Sequence, residues 1–150
     1  MKIYVKPRSF FESCRGTGRE REFFRDNRII SINSVSHPAE VPPFSEEFLD
    51  ADNLLILYFD DVDAGSPNAM TPEQAKQLVE FIGIEDNSPI IVHCTAGISR
   101  SGAVGEVLSW YFNRFKANDS DYREFANTHQ YIVPNAHVRR LLLAELRRNN

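Results

Sequence analysis

Residues 90–105, Ile-Ile-Val-His-Cys-Thr-Ala-Gly-Ile-Ser-Arg-Ser-Gly-Ala-Val-Gly, limit what this chain can fold into more than any other stretch. Ile90–Val92 reads as a short buried strand, and the helix expected after the turn carries an apolar face. Between them one tight turn holds Cys94 and Arg100, six positions apart. Such a turn can curl its backbone N–H groups, here those of Thr95, Ala96, Gly97, Ile98, Ser99 and Arg100, into a nest for an anion, with the positive end of the helix behind it. Arg100 can grip two oxygens of a tetrahedral dianion side by side, which a lysine cannot do. Cys94 then lies at the floor of a positive bowl, the kind of surrounding that favours a nucleophilic thiolate. The bland alternative is a buried structural cysteine on a strand-to-helix turn. It leaves an arginine in the same loop as an unexplained cost.

His93-Cys94-Thr95-Ala96-Gly97-Ile98-Ser99-Arg100-Ser101-Gly102 resembles the signature loop of the cysteine-dependent protein tyrosine and dual-specificity phosphatases, His-Cys-x5-Arg-Ser/Thr. The Ala-Gly-x-Ser-Arg-Ser portion is most similar to the dual-specificity branch. The resemblance is strong over residues 93–102 and weaker over 54–146. It implies that Cys94 is the nucleophile and that residues 95–100 cradle the phosphoryl group. His93 would fix the loop and tune the thiol, and the Ser101 hydroxyl would ease departure of the sulfur. No metal and no other cofactor is implied.

With 150 residues the chain fits one ordinary domain, residues 1–150, with one sizeable core. The net charge of −4 gives no reason to expect bulk nucleic-acid binding. No apolar run approaches membrane-spanning length, and Lys2, Lys6 and Arg8 interrupt any signal-peptide core. Two cysteines do not make a disulfide framework, so a reducing cytoplasm is the expected setting. Charge is unevenly spread. Arg8, Arg15, Arg19, Arg21, Arg25 and Arg28 make the first 28 residues basic, whereas residues 46–86 are acidic. Two solvated faces account for this, and a sharper reading lets some of the arginines border the pocket.

Strands are expected at Met1–Val5, along an edge, at 28–32, at 54–59 and at 90–92. The unbroken apolar run Leu54–Phe59 predicts a strand covered on both faces. Phe10 and Phe11 suggest a helix start that Gly16 and Gly18 interrupt, the prolines of 38–43 suggest a loop, and Phe44–Leu49 a helical turn. Thr71, Pro72 and Gln74 form a helix start with a capping box, followed by Ala75, Leu78, Val79 and Ile82 on one face. The helix after the turn should bury Val104, Val107, Leu108, Tyr111 and Phe115. Asp119-Ser120-Asp121 can cap a short helix, and a last one begins near Pro134-Asn135 with Val138, Leu141, Leu142 and Leu146 inward. Alternation of strand and helix predicts a three-layer α/β domain with a mainly parallel central sheet flanked by helices. Ligands of such sheets sit beyond the strand C-termini, where Cys94 and the Asp60-Asp61-Val62-Asp63 loop both fall.

Thiolate attack on a phosphate monoester needs an acid for the leaving oxygen. In the resembled family a mobile loop after a strand supplies an aspartate, and Asp61 best matches that position, with Asp60 and Asp63 as alternatives. Asn135 resembles a supporting family asparagine but is explained equally by a helix cap. His37, His129 and His137 show no metal-ligand spacing and are expected to be surface or structural. The resemblance implies phosphorylated protein or small aryl phosphates as substrates, tyrosine or dual specificity. A phosphoinositide phosphatase of the superfamily places lysines where this loop has Thr95 and Ile98, and an RNA 5′-triphosphatase would want more positive charge. A non-catalytic phospho-binding module commonly lacks thiol, arginine or acid, and here all three are present.

Overall fold

The computed structural model describes residues 1–36, 38–114 and 119–149. Four strands, β1 (Ile3–Pro7), β2 (Arg28–Asn33), β3 (Leu54–Tyr58) and β4 (Ile90–Cys94), form one all-parallel sheet in the order β1-β4-β2-β3. The register sets Pro7 beside Cys94, Ser31 beside His93 and Asn33 beside Tyr58, so all four C-terminal ends reach one edge. Helices α1 (Arg8–Glu12) and α2 (Gly18–Asp26) join β1 to β2, and α3 (Pro72–Ile82) joins β3 to β4. After β4 come α4 (Arg100–Asn113), α5 (Asp119–Thr128) and α6 (Ala136–Arg148). Parallel strands need such crossovers, and covering helices then bury both sheet faces.

Alternation along the strands feeds two cores. Ile30, Ile32, Ile90 and Val92 join residues of α3, α4, α5 and α6 in the larger one. Ile29 and Ile91 point the other way, into a cluster with Phe11, Phe24 and Phe44. α4 lies close on β1 because Gly105 has no side chain: a Cβ there would come 2.4 Å from Val5 Cγ2. α3 starts as its residues require, with Thr71 Oγ1 accepting from Gln74 N at 3.2 Å and Gln74 Oε1 accepting from Thr71 N at 2.9 Å. Such a cap contributes about 1 kcal/mol.

Two expectations need correction. β3 is an edge strand rather than one covered on both faces: Tyr58 is 47% exposed, and of its residues only Leu57 is buried. An apolar run cannot distinguish a central strand from an edge strand whose second face is half covered. The arginine-rich stretch also hides α2, which turns Phe24 into the smaller core and buries Glu20. That carboxylate caps the approach of two loops, accepting from Gly16 N at 3.1 Å and from Ser45 N at 3.0 Å. Arg28 is no surface cation either. It is 2% exposed and donates to the Asp86 carbonyl at 3.0 Å, far from the strand C-termini. Among the described residues no helix is long and apolar enough to cross a membrane. Phe115 and His37 lie outside the described residues.

Candidate active site

β4 delivers His93 and Cys94 to the sheet edge, and the loop from Thr95 to Ser99 then turns into α4. Gly97 makes the turn possible. Its φ is +70°, and a Cβ there would lie 2.5 Å from Pro7 N and 2.6 Å from Lys6 C. The loop's outer side is fastened by its carbonyls. Thr95 O accepts from Arg8 N at 3.1 Å, Ile98 O from Val133 N at 3.0 Å and Ser99 O from Asn135 N at 3.0 Å. In a trans peptide the N–H points opposite to the C=O. The amides of Ala96, Ser99 and Arg100 therefore point away from Arg8, Val133 and Asn135 respectively.

Cys94 is 2% exposed, and its Sγ lies 3.0 Å from Ser101 Oγ on the first turn of α4. Arg100 is 4% exposed. Its Nη1 donates to Phe59 O at 2.8 Å and Ser34 Oγ at 3.0 Å, and its Nη2 donates to Thr95 Oγ1 at 2.8 Å. Arg100 Nε is buried without a hydrogen-bond partner among the described residues. An unpartnered guanidinium N–H in the wall of the site is a donor that an oxyanion can use.

The three aspartates after β3 separate by their partners. Asp60 is buried at the pocket edge, and both of its carboxylate oxygens are taken up by the loop after β2. It accepts from Val35 N at 2.7 Å, Ser36 N at 3.2 Å and Ser36 Oγ at 2.5 Å, tying the loop after β2 to the loop after β3. The Ser36 hydroxyl first, then the two N–H groups, hold its carboxyl below the ordinary aspartate range. Asp61 is exposed at the pocket, and its Oδ1 accepts from Ser99 Oγ at 2.8 Å and Asn135 Nδ2 at 2.8 Å. Oδ2 accepts nothing among the described residues. Asp63 is exposed and does not line the pocket. Asn135 also caps α6, its Oδ1 accepting from Val138 N at 3.1 Å.

His93 is fully buried between Ser31 Oγ, 2.6 Å from Nε2, and the Cys94 carbonyl, 3.1 Å from Nδ1. Phe11 and Phe44 press on its ring, at centroid distances of 5.5 Å and 5.9 Å. Burial pushes its pKa down to about 4, so the imidazole is neutral at physiological pH. The bond to the Cys94 carbonyl assigns the hydrogen to Nδ1, which leaves Nε2 to accept from Ser31. His129 is structural: its Nε2 accepts from Val5 N at 3.0 Å. His137 lies 2.8 Å from the Met70 carbonyl. Among the described residues no group of three or more His, Cys, Asp or Glu could hold a metal.

The cavity at this edge is small, about 250 Å³, and is lined by Ser34, Glu40, Asp61, Thr95 and Arg100 among others. Two larger cavities lie elsewhere. One, about 1150 Å³, opens beside Met1, Gly83 and Pro89 at the opposite strand ends; the other, about 780 Å³, lies beside Trp110 and Phe125. Of the basic residues before β2, Arg8 borders the site, with Nη1 donating to Asn33 Oδ1 at 3.1 Å. Glu40 and Ser34 have no counterpart among the residues singled out by sequence. Glu40 is ionised in the wall: burial would raise its pKa, but the Ser34 N–H and the Thr95 hydroxyl bring it below the usual carboxylate value. Nothing in the local sequence marks a glutamate within a proline-rich loop as a neighbour of residue 95.

This arrangement is the fold of the tyrosine and dual-specificity phosphatases, an all-parallel sheet flanked by helices with the turn at its C-terminal edge. The human tyrosine phosphatase-like serine/threonine/tyrosine-interacting protein matches 98% of this chain and 92% of its own at a TM-score of 0.60 and 18% identity. Human DUSP28 matches over 99% of this chain and 95% of its own, with a TM-score of 0.53 and 15% identity. PTPMT1 in complex with PI(5)P gives a TM-score of 0.55 at 12% identity, again over 99% and 95% of the two chains. No family model matches the sequence, and no curated protein does. At such identities the likeness is one of fold, and it agrees with the resemblance carried by residues 93–102.

Proposed function

We propose that the chain is a cysteine-dependent phosphatase that hydrolyses phosphate monoesters of protein, phosphotyrosine or dual specificity, through a phosphocysteine intermediate. The observation that carries this reading is that Cys94, with its Sγ beside Ser101 Oγ, and Arg100, whose Nε has no partner among the described residues, close the two ends of one turn beside a small cavity that Asp61, Thr95 and Arg100 line. Arg100 and the amides hold the three non-bridging oxygens while the Cys94 thiolate attacks phosphorus in line with the leaving oxygen. The S–P bond forms and the P–O bond breaks. The carboxyl of Asp61 gives its proton to the departing alkoxide or phenoxide, and the carboxylate so formed then takes a proton from the attacking water. Water oxygen bonds to phosphorus, and sulfur leaves as thiolate with the Ser101 hydroxyl donating to it. One difficult displacement becomes two easier ones. No step draws on a metal.

A reducing compartment such as the cytoplasm suits a thiolate that must survive. The pocket walls favour peptide or aryl phosphates over polyanions, since Glu40, Asp60 and Asp61 line the pocket and Arg100 is the cation among its described lining residues. PTPMT1, whose structure holds PI(5)P, keeps a phosphoinositide reading in play at the level of fold.

Catalytic efficiency on phosphotyrosine, phosphoserine and phosphothreonine peptides, phosphoinositides and 5′-triphosphorylated RNA tests the reading. Peptides should lead. Cys94→Ser should abolish p-nitrophenyl phosphate hydrolysis while still binding tungstate. Turnover surviving in that variant, or a wild type that cleaves none of these esters, overturns the assignment.

A further inference from the structure

β4 carries Cys94 with β1 on one side and β2 and β3 on the other, and the charge around it is divided the same way. The loops after β2 and β3 bring Glu40, Asp60 and Asp61 to the pocket. On the β1 side stands Lys6, one residue before Pro7, the partner of Cys94 in the register. Its backbone packs closely on the turn, for a Cβ at Gly97 would lie 2.6 Å from Lys6 C. Lys6 Nζ sits 4.9 Å from the centre of the Phe10 ring. Arg19 Cζ, from α2, lies 5.9 Å from that same centre and 5.4 Å from the centre of the Phe23 ring.

Sorting the basic side chains of the first 28 residues by partner sets this pair apart. Lys2 has Asp121, Arg8 has Glu12 and Glu40, Arg21 has Glu47, and Arg25 has Asp26. Arg28 is buried on main-chain carbonyls. The side chains of Lys6, Arg15 and Arg19 have no hydrogen-bond or ionic partner among the described residues, and of these three Lys6 and Arg19 share one aromatic ring. Two cations gathered on a ring repel each other, and the negative face of the ring offsets part of that repulsion. An anion between them would remove the rest. Because the ring already holds both side chains, little rotamer freedom is lost when the anion arrives.

We propose that Lys6 and Arg19, on the face of Phe10, form a subsite for a second anionic group of the substrate, a carboxylate or a further phosphate on a residue flanking the phosphorylated one. The proposal rests on the reading of the turn as the phosphate site, and it deepens that reading by giving the substrate a charge pattern. A peptide whose phosphoryl group lies in the turn must leave over the rim of the pocket. Toward β2 and β3 it meets carboxylates; toward β1 it meets two cations without counterions. An extended peptide advances about 3.3 Å per residue, which places the anionic residue within a few positions of the phosphorylated one.

The test is catalytic efficiency on a phosphotyrosine peptide in an alanine context, with aspartate, phosphoserine or lysine moved through each flanking position. Melting temperature and p-nitrophenyl phosphate turnover serve as controls on folding and on the turn. At one flank, aspartate should raise kcat/KM about tenfold over alanine, and lysine should lower it. Lys6→Ala and Arg19→Ala should each remove about threefold of that gain, the worth of an exposed charge pair, and the double variant should remove nearly all of it. None of the three should change p-nitrophenyl phosphate turnover. Phe10→Leu keeps every charge but frees both side chains, and should cost about threefold. Arg25→Ala removes the same charge from a cation already held by Asp26, and should cost nothing. Arg19→Glu should turn the preference toward lysine. A gain with phosphoserine well above that with aspartate assigns the subsite to a second phosphate, and equal gains assign it to carboxylates.

No preference for an acidic flank, or one that survives the double variant, overturns the proposal. So does a preference that Arg25→Ala reduces as much as Arg19→Ala does, since that is the general field of the molecule and not a subsite. Should Phe10→Leu not fold, the contrast of Arg19→Ala with Arg25→Ala decides. Binding of the same peptides to Cys94→Ser, by fluorescence anisotropy, separates the subsite from the chemistry. A wild type that hydrolyses nothing while Cys94→Ser prefers acidic phosphopeptides defeats the catalytic reading alone. Binding with no such preference defeats the subsite alone, and binding of no phosphopeptide defeats both.

Discussion

The Ser101 hydroxyl lies 3.0 Å from the Cys94 sulfur, and both residues are closed to solvent. A serine in that place can donate to a thiolate and does not itself reach across the bowl. Its effect should fall on the step in which sulfur departs. Ser101→Ala should lower kcat for p-nitrophenyl phosphate about tenfold or more, the value of a hydrogen bond to a charged group. Rapid mixing should then show a stoichiometric burst of p-nitrophenol as phosphoenzyme accumulates. A slower burst phase with no accumulation would place Ser101 in the first step instead.

Asp61 and Asp60 are adjacent, but they should fail differently. Asp61→Asn keeps the acceptor for Ser99 and Asn135 yet has no proton to give, so kcat should drop by about two to four orders of magnitude. The loss should shrink for leaving groups of low pKa, which need no acid. Asp60→Asn should instead lower the melting temperature, since Asp60 fastens Val35 and Ser36. The Asp60 carboxyl lies below its unfolded value of about 3.9, so its stabilisation is complete above that pH and is lost as pH falls through the folded value. The stability gap between wild type and Asp60→Asn should therefore close in acid. A large gap at low pH would mean that packing, not charge, is what Asp60 provides.

Gly97→Ala tests whether loop shape matters apart from any functional group. At φ +70° an alanine is strained, and its Cβ would meet the backbone of Lys6 and Pro7, which cannot yield as a side-chain tip can. The loop should shift, turning its amides off the bowl. Tungstate binding and turnover should then fall together by about tenfold or more, as when a donor is lost from an oxyanion site. Retention of wild-type affinity would show that the amides contribute little.

What the sequence made legible was local. The turn from Cys94 to Arg100 and the capping box at Thr71 depend on residues close in the chain, so spacing alone reveals them. The four strands were legible from their apolar content, although β3 hid its edge position behind an unbroken run. Glu40 reaches Thr95 across 55 positions, and Asn135 reaches Asp61 across 74; contacts of that range arise only once the sheet order brings the loops together. The choice among Asp60, Asp61 and Asp63 was open for the same reason. Asp60 and Asp61 both line the pocket and differ in their partners, Ser36 for the one and Ser99 and Asn135 for the other.

His93 carries the last prediction. Its ring is closed in by Ser31, Phe11 and Phe44, and burial lowers its pKa to about 4. In the unfolded chain a histidine titrates near 6.5. Between these values the unfolded state binds a proton that the native state refuses, so stability rises with pH across that window. Below about 4 both states are protonated and the contribution levels off. The size follows from the shift: roughly 3 kcal/mol of stability should be lost on going from pH 7 to pH 4. His93→Gln can keep the bond to Ser31 but cannot titrate. Denaturant melts of both proteins at pH 7, 5.5 and 4 should show the wild type losing its advantage by about that amount. Parallel curves for the two would mean that the imidazole is not held neutral, and that Ser31 receives a charged ring.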